Sequence, residues 1–262
     1  MATRTRRPER RQEPLSRERI VSAAVELLDS VGESGLTFRA LAELLATGPG
    51  AIYWHVTGKA ELLDAATDAV VATAISDAAA ISDAAAVSDV ALSDAAVSDA
   101  DGDPTPQEAI RALALGVFDA IDDHPWVGTQ LARAPGQSPM LRVFERIGRQ
   151  VQALQVPEGA HFTAASALLN YILGVAGQNA ANARAFPPGT NRTAFLDAAA
   201  TEWTELDPDQ YVFTRSVVDQ LRVHDDRVEF LAGIDLILAG ITARSWPTTG
   251  PRAGERSDEP GA

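Results

Sequence analysis

Apolar positions repeat at helical spacing from residue 16 almost to the end of the chain. Ile20, Ala23, Ala24, Leu27, Leu28 and Val31 form one stripe. Ser16 stands before it as an N-cap and Gly32 after it as a stop. Thr37 caps a second, shorter stripe of Leu41, Leu44 and Leu45. The turn Ala46-Thr47-Gly48 follows, and Pro49 sits where a first-turn proline is tolerated, so a third short helix is predicted through Gly50, Ala51, Ile52, Tyr53 and Trp54. Lys59 opens a fourth helix with Leu62, Leu63, Ala66 and Val70 on one face.

The periodicity lapses over 74–104. Ser-Asp recurs at 76, 82, 88, 93 and 98, with Ala, Ile, Val and Leu between. Alanine favours helix, but spacings of five and six residues scatter the apolar positions around one, leaving no face to bury. A low-complexity insert, part frayed helix and part disordered, is expected there; a functional acidic element is the other reading. From Thr105 the helical pattern resumes. Thr105-Pro106 start a helix that His124-Pro125 end, Trp126 to Ala134 form a short one, and Ser138-Pro139 start another. Pro157-Glu158 lead into a long helix through Phe162, Leu168, Leu169, Ile172 and Val175. A helix over 194–206 is followed by one from Asp207-Pro208 to near Val223, and Asp225 caps a last one through Phe230, Ile234, Leu238 and Ile241. No segment alternates with period two over strand length, so the fold class is all-α. The domains expected are a disordered basic arm (1–14), a helix-turn-helix domain (15–73), the repeat insert (74–104), a larger C-terminal domain (105–245) and a disordered tail (246–262).

Composition narrows the chemistry. The 46% hydrophobic content suffices for a sizeable core, and the absence of cysteine excludes disulfides, thiolate catalysis and thiolate-bound zinc. No uncharged apolar run of spanning length and no apolar segment after the Arg-rich start is present, which points away from membranes and secretion and toward the cytoplasm. The net charge of −14 argues at first against a nucleic-acid partner. Its distribution reverses that argument: residues 1–60 hold eight Arg and one Lys against seven acids, so the acidic excess lies entirely in the remainder. Gly-rich phosphate loops, nucleophile-base signatures and paired metal ligands are missing. His124, His161 and His224 lack ligand spacing. No enzyme, metal or cofactor is expected.

The segment 37–56, TFRALAELLATGPGAIYWHV, reads as a short helix, a tight turn and a second short helix. Leu41, Leu45 and Ile52 would pack this pair on the first helix, leaving the other face of the second to solvent or DNA. Tyr53, Trp54 and His55 stand there, and large aromatics are costly on a bare surface unless they contact something.

Residues 16–70 resemble the DNA-binding domain of the TetR family of regulators. The resemblance rests on Ala51-Ile52-Tyr53-Trp54-His55-Val56 with Lys59, Leu62, Leu63 and Asp64, on Val31-Gly32 and Gly35-Leu36-Thr37, and on Arg39-Ala40-Leu41-Ala42. A weaker likeness to the family's final dimer-forming helix lies over 230–240. What the resemblance implies is a homodimeric, ligand-responsive regulator, a repressor released from a palindromic double-stranded DNA operator by a small-molecule effector. It implies that Arg39 reads a guanine edge or meets a phosphate, both open at this stage. It implies a cap and phosphate contact for Thr37, and phosphate contacts for Tyr53, His55 and Lys59. Trp54 would lie at the DNA backbone or against the first helix. Pro49, Gly50 and Ala51 stand where the family varies its base-reading residues and offer few hydrogen-bonding groups, so DNA shape and the Arg-rich arm would carry more of the recognition.

The resemblance also implies a dimer interface built from the helices around 160–182 and 226–244, and an effector pocket among the helices at 106–123, 126–134, 139–154 and 160–182. Candidate lining residues are Phe118, His124, Trp126, Leu131, Phe144, Phe162, Asn170, Tyr171, Gln178 and Asn179; for each alone, ordinary packing is the competing reading. Members of the family that coordinate magnesium through a histidine have it where Leu131 falls here, and a second histidine they carry at the end of the fourth helix falls near Ile75, so neither metal nor tetracycline is expected. The alternative from another class is an all-helical small-molecule-binding protein or enzyme without operator function.

Overall fold

Side-chain caps set the helix boundaries. In the computed structural model, which describes residues 14–88, 104–133, 138–185 and 191–243, Ser16 Oγ accepts the Arg19 N–H at 3.3 Å and starts α1 (Arg17–Gly35). Gly32 breaks its regular geometry at φ +71°, a conformation glycine adopts without steric cost. Thr37 Oγ1 accepts the Ala40 N–H at 3.1 Å and starts α2 (Phe38–Leu44). α2 ends in a Schellman motif: Thr47 N–H reaches the Ala42 carbonyl at 2.9 Å, Ala46 N–H reaches that of Glu43 at 3.2 Å, and Ala46 takes φ +51°. α3 (Pro49–Ile52) follows. It is shorter than the sequence predicts: His55 N–H bonds the Ile52 carbonyl at 2.9 Å, tightening the chain into a turn that carries Tyr53, Trp54 and His55.

Ile20, Ala24, Leu28, Leu36, Leu41, Ile52, Val56, Leu62 and Ala66 are the buried contents of this N-terminal unit, whose boundary falls between Ala69 and Val70. Each fully buried Leu or Ile contributes about 1.5–3 kcal/mol relative to exposure. Leu44, counted with the stripe in the sequence, is exposed. α4 (Lys59–Ser88) runs across the boundary and continues through the first part of the Ser-Asp repeat. The rest of that repeat, at 89–103, lies outside the described residues, as do the basic arm at 1–13 and the tail from 244.

In the second unit α5 (Pro106–Asp123) begins with a capping box in which the Thr105 hydroxyl and the Glu108 carboxylate satisfy each other's backbone N–H groups. α6 (Pro125–Arg133), α7 (Ser138–Ala153) and, after one 3-10 turn, α8 (His161–Ala185) follow. α8 is the hub, packed by α5, α6, α7 and α12 (Asp226–Ala243). Ile110, Val117, Ile121, Val127, Val143, Ile147, Leu168, Ile172, Phe230 and Ile234 fill the space between them. The stretch Glu158–Ala183 is long and apolar enough to cross a membrane by length and composition alone; here one side of it packs against the neighbouring helices of this bundle and the rest stays open. Two ion pairs bind α5 to α12: Arg111–Asp235 at 2.5 Å and Arg227–Asp119 at 3.1 Å.

α9 (Arg192–Glu205) packs on α10 (Val212–Ser216) and α11 (Val218–Arg222). The sequence predicts one helix from Asp207 to near Val223; the structure has two short ones. The Asp207 carboxylate caps a single turn through the N–H groups of Asp209 and Gln210, and Tyr211 then leaves helical geometry at φ −118°, ψ 39°. Arg215 donates to the carbonyls of Thr204 and Leu206, pinning α10 onto the C-terminus of α9, and Val217 at φ −105°, ψ 10° separates α10 from α11. Asp225 Oδ1 caps α12 by accepting the N–H groups of Arg227 and Val228. Every regular element among the described residues is helical.

Candidate nucleic-acid interface

Two short helices joined by the Ala46-Thr47-Gly48 turn set the geometry of the N-terminal face. α2 buries Leu41 and Ala42 toward α1, and α3 buries Ile52. The opposite sides stay open. Arg39 projects from the first turn of α2 with its side chain 88% exposed. Pro49 and Gly50 are exposed at the start of α3, and Ala51 is half-buried. Tyr53 and Trp54 stand out from the turn after α3, and Trp54 is 89% exposed. An exposure that large, for the side chain with the most apolar area, is the feature a bare surface least explains.

Phe38 joins the two halves of this face. Its ring lies flat on that of Tyr53, centroids 4.4 Å apart and planes 15° from parallel. The start of α2 is thereby fixed against the end of α3. Arg17 fixes the same turn from α1: its Nη1 donates to the His55 carbonyl at 3.0 Å and to Glu61 Oε1 at 2.7 Å. The other oxygen of Glu61 accepts the backbone N–H and the hydroxyl of Thr57, both at 2.7 Å. These Thr57 bonds, backbone first, and then Arg17 pull the Glu61 carboxyl down to about 2.

Lys59 stands at the start of α4, as its reading as a phosphate contact requires, yet its ammonium is engaged. Nζ donates to the Glu33 carbonyl at 2.5 Å, just past the Gly32 break in α1. Sequence reasoning missed Arg17, Phe38, Glu43 and Glu61. Glu43 carried a signal, lying one helical turn after Arg39, and its carboxylate accepts from Arg39 Nε at 3.2 Å. Glu61 sits in the first turn of α4, where acids are favoured. Arg17 is too distant in sequence from its partners to be found locally.

The aromatic residues assigned to an effector pocket separate into two groups. Phe118 and Tyr171 both meet Phe230, at centroid distances of 4.6 and 5.7 Å, and the Tyr171 hydroxyl donates to the Phe230 carbonyl. Burial, with the nearby Glu229 charge, pushes that hydroxyl's pKa up. Phe144 meets Phe162 edge-on at 6.0 Å, and Phe162 is 75% exposed. Trp126 and Leu131 are buried on α6, with Trp126 near His124. Asn170 and Gln178 are exposed on α8. Asn179, on the same helix, has its amide nitrogen buried without a hydrogen-bond partner. Among the described residues no three His, Asp or Glu side chains are grouped to hold a metal ion.

A helix-turn-helix that presents an arginine and two aromatics outward defines a DNA-binding transcriptional regulator. Residues 20–66 match the family described as bacterial regulatory proteins, tetR family. A TetR transcriptional regulator of known structure from Streptomyces coelicolor is 58% identical, the alignment covering 88% of this chain and 99% of that one with a TM-score of 0.73. The chain belongs to the TetR family. An HTH-type transcriptional regulator of Saccharopolyspora erythraea is 30% identical over 172 residues, 64% of each chain. The class C tetracycline repressor protein of Escherichia coli is 47% identical over 57 residues, 22% of this chain and 26% of its own length. The chain therefore spans under two thirds of these two relatives, and its likeness to the tetracycline repressor is confined to a quarter of that protein.

Proposed function

We propose that the protein is a homodimeric repressor in the cytoplasm that leaves a palindromic operator when a small molecule binds its C-terminal domain. The observation that carries the reading is the outward projection of Arg39, Tyr53 and Trp54 from a helix-turn-helix whose Leu41, Ala42 and Ile52 are buried on the other side. In this reading α3 enters a major groove, Thr37, Tyr53 and His55 meet phosphates beside Arg39, and Trp54 lies along the sugar-phosphate backbone. Pro49, Gly50 and Ala51 let the helix approach closely, with Ala51 available to a thymine methyl. Lys59 exchanges the Glu33 carbonyl for a phosphate.

Dimerisation is supported by the outer sides of α8 and α12. Phe162, Val228 and Leu236 are exposed there, and Gly174 and Gly240 leave open space for a close approach. An effector site among α5, α6, α7 and α8 is supported by the buried, unpartnered amide of Asn179, a donor that calls for an acceptor. Nothing in these residues favours tetracycline.

Titration of the purified protein against the DNA upstream of its own gene, at several salt concentrations, tests the reading. The expected result is one site preferred over random DNA with a steep salt dependence. Equal affinity for all sequences ends it. A thermal-shift screen of small molecules, followed by release of bound DNA, tests the effector.

A further inference from the structure

Among the side chains presented around α2 and α3, base-edge donors are scarce. Pro49, Gly50, Ala51 and Ile52 make up α3, and none carries a side-chain hydrogen-bonding group. The N-terminal half of α2 offers Arg39. An unrestrained arginine at such a place is drawn to phosphate, which takes half or more of protein–DNA hydrogen bonds and carries no sequence information.

Arg39 is not unrestrained. Glu43, one turn further along α2, accepts from its Nε at 3.2 Å. The side chains are 88% and 69% exposed, so the pair adds little to the stability of the fold. Its geometry is the informative part. With Nε engaged by Glu43, the guanidinium keeps its terminal edge, one N–H from each terminal nitrogen, for another acceptor, and that edge can bond guanine O6 and N7 together. The carboxylate also brings a negative charge to a surface read as facing DNA. There it repels phosphate, so it disfavours the backbone-bound position of Arg39 and lowers affinity for DNA of every sequence.

We infer that Glu43 is a positioning residue for operator recognition: it holds Arg39 toward a guanine edge and sets the balance between selective and indiscriminate DNA binding. The inference rests on the DNA-binding reading above. It deepens that reading by resolving the two roles left open for Arg39 in favour of the base. It also explains why a surface that must approach a polyanion keeps an acid beside its outward-facing arginine.

The test is selection of preferred sites from a random DNA library by the full-length wild type, R39A, E43A and E43Q, with salt titrations on the selected site and on random DNA. Wild type is expected to prefer a G·C pair at one position in each half-site, and R39A to lose that preference. E43A is expected to lose discrimination there by about tenfold, the scale of one bidentate base contact, while binding random DNA more tightly. Its salt dependence steepens by about one unit of slope as Arg39 turns to phosphate. E43Q keeps an acceptor for Nε without the charge, so it retains most of the discrimination. In the R39A background, E43A changes discrimination no further. Two results overturn the inference alone: E43A tightening operator and random DNA by the same factor, or R39A leaving every base preference intact. Absence of any preferred site for wild type overturns the DNA-binding reading and takes this inference with it.

Discussion

Phe38 and Tyr53 lie face to face with ring centroids 4.4 Å apart, and this pair couples the N-terminus of α2 to the turn after α3. Tyr53 remains half open to solvent despite the stack. The ring is thus oriented by its neighbour while its hydroxyl stays free to reach a phosphate. Phe38→Ala removes an aromatic pair worth about 0.5–1.5 kcal/mol beyond its area burial. Chemical denaturation is expected to show at least that loss, and operator affinity is expected to fall further than stability does, because the Tyr53 turn is no longer held. Phe38→Tyr, which keeps the ring, is expected to restore both. Operator affinity unchanged in Phe38→Ala would show that the stack is structural only.

Local signals made most of the fold legible. Ser16, Thr37, Thr105 and Asp225 cap helices where the sequence places caps, because an N-cap is a contact between a side chain and a backbone N–H two or three residues on. Failures came where a distant partner decided the outcome. One helix was expected between Asp207 and Val223; the backbone leaves helical geometry at Tyr211 and Val217, and Arg215 between them bonds back to Thr204 and Leu206. The outward residues of the helix-turn-helix were readable because too many constrained positions agreed in register. The side chains that aim them were not, since Arg17 meets Glu61 and His55 only after α1 and α4 have come together. The aromatic residues of the C-terminal domain were identifiable individually, but their division into a Phe230 group and a Phe144–Phe162 pair depends on how α5, α7, α8 and α12 pack.

Ala46 occupies a position that suits glycine. It is the αL residue of the Schellman motif closing α2, with φ +51°. A side chain there costs about 1–2 kcal/mol, which glycine avoids; glycine also adds conformational entropy to the unfolded chain. Ala46→Gly is therefore expected to raise stability by a net of about 0.5–1 kcal/mol, read as a higher denaturation midpoint with an unchanged slope. A lower midpoint would show that the strain at this turn is smaller than the entropy cost.

Glu61 gives the N-terminal unit an acid-sensitive contact. Its carboxyl lies at about 2 in the folded chain against an ordinary value of 4.5, held down first by the Thr57 backbone N–H, then by the Thr57 hydroxyl and Arg17. A depressed carboxyl stabilises the fold above its unfolded value. That contribution is lost as pH falls from 4.5 through about 2. Glu61→Gln is expected to be less stable than wild type at neutral pH, and the difference is expected to shrink steadily across that acid window. A difference that stays constant with pH would mean that the carboxylate charge is not what the site uses.

Gly233 lies where α12 passes closest to Tyr171 on α8. A Cβ there would overlap the Tyr171 hydroxyl oxygen and the ring carbon that bears it. The ring is itself stacked on Phe230 and bonded to that residue's carbonyl at 3.2 Å, so it cannot yield cheaply. Gly233→Ala is expected to cost about 1–3 kcal/mol, the usual range for overpacking. Gly240, with open space around its Cβ position, is the control: Gly240→Ala is expected to leave the isolated fold unharmed, where alanine favours helix. Equal effects from the two substitutions in thermal denaturation would remove Tyr171 as the cause.

Lys59 carries one ammonium group to which both a structural contact and, in the proposed reading, a phosphate contact are assigned. In the DNA-free chain it donates to the Glu33 carbonyl at 2.5 Å, satisfying a backbone acceptor just after the Gly32 break. Replacing it by methionine keeps the aliphatic stem and removes the donor, so the loss of stability is expected to be about 0.5–1.5 kcal/mol. The same substitution separates the two assignments available to this residue. A phosphate contact predicts weaker binding to operator and random DNA alike, with the salt dependence shallower by about one unit of slope. A purely structural contact predicts a lower melting temperature with the salt slope unchanged. Because the slope counts released counterions and is insensitive to modest destabilisation of the free protein, it decides between them even if both affinity and melting temperature fall.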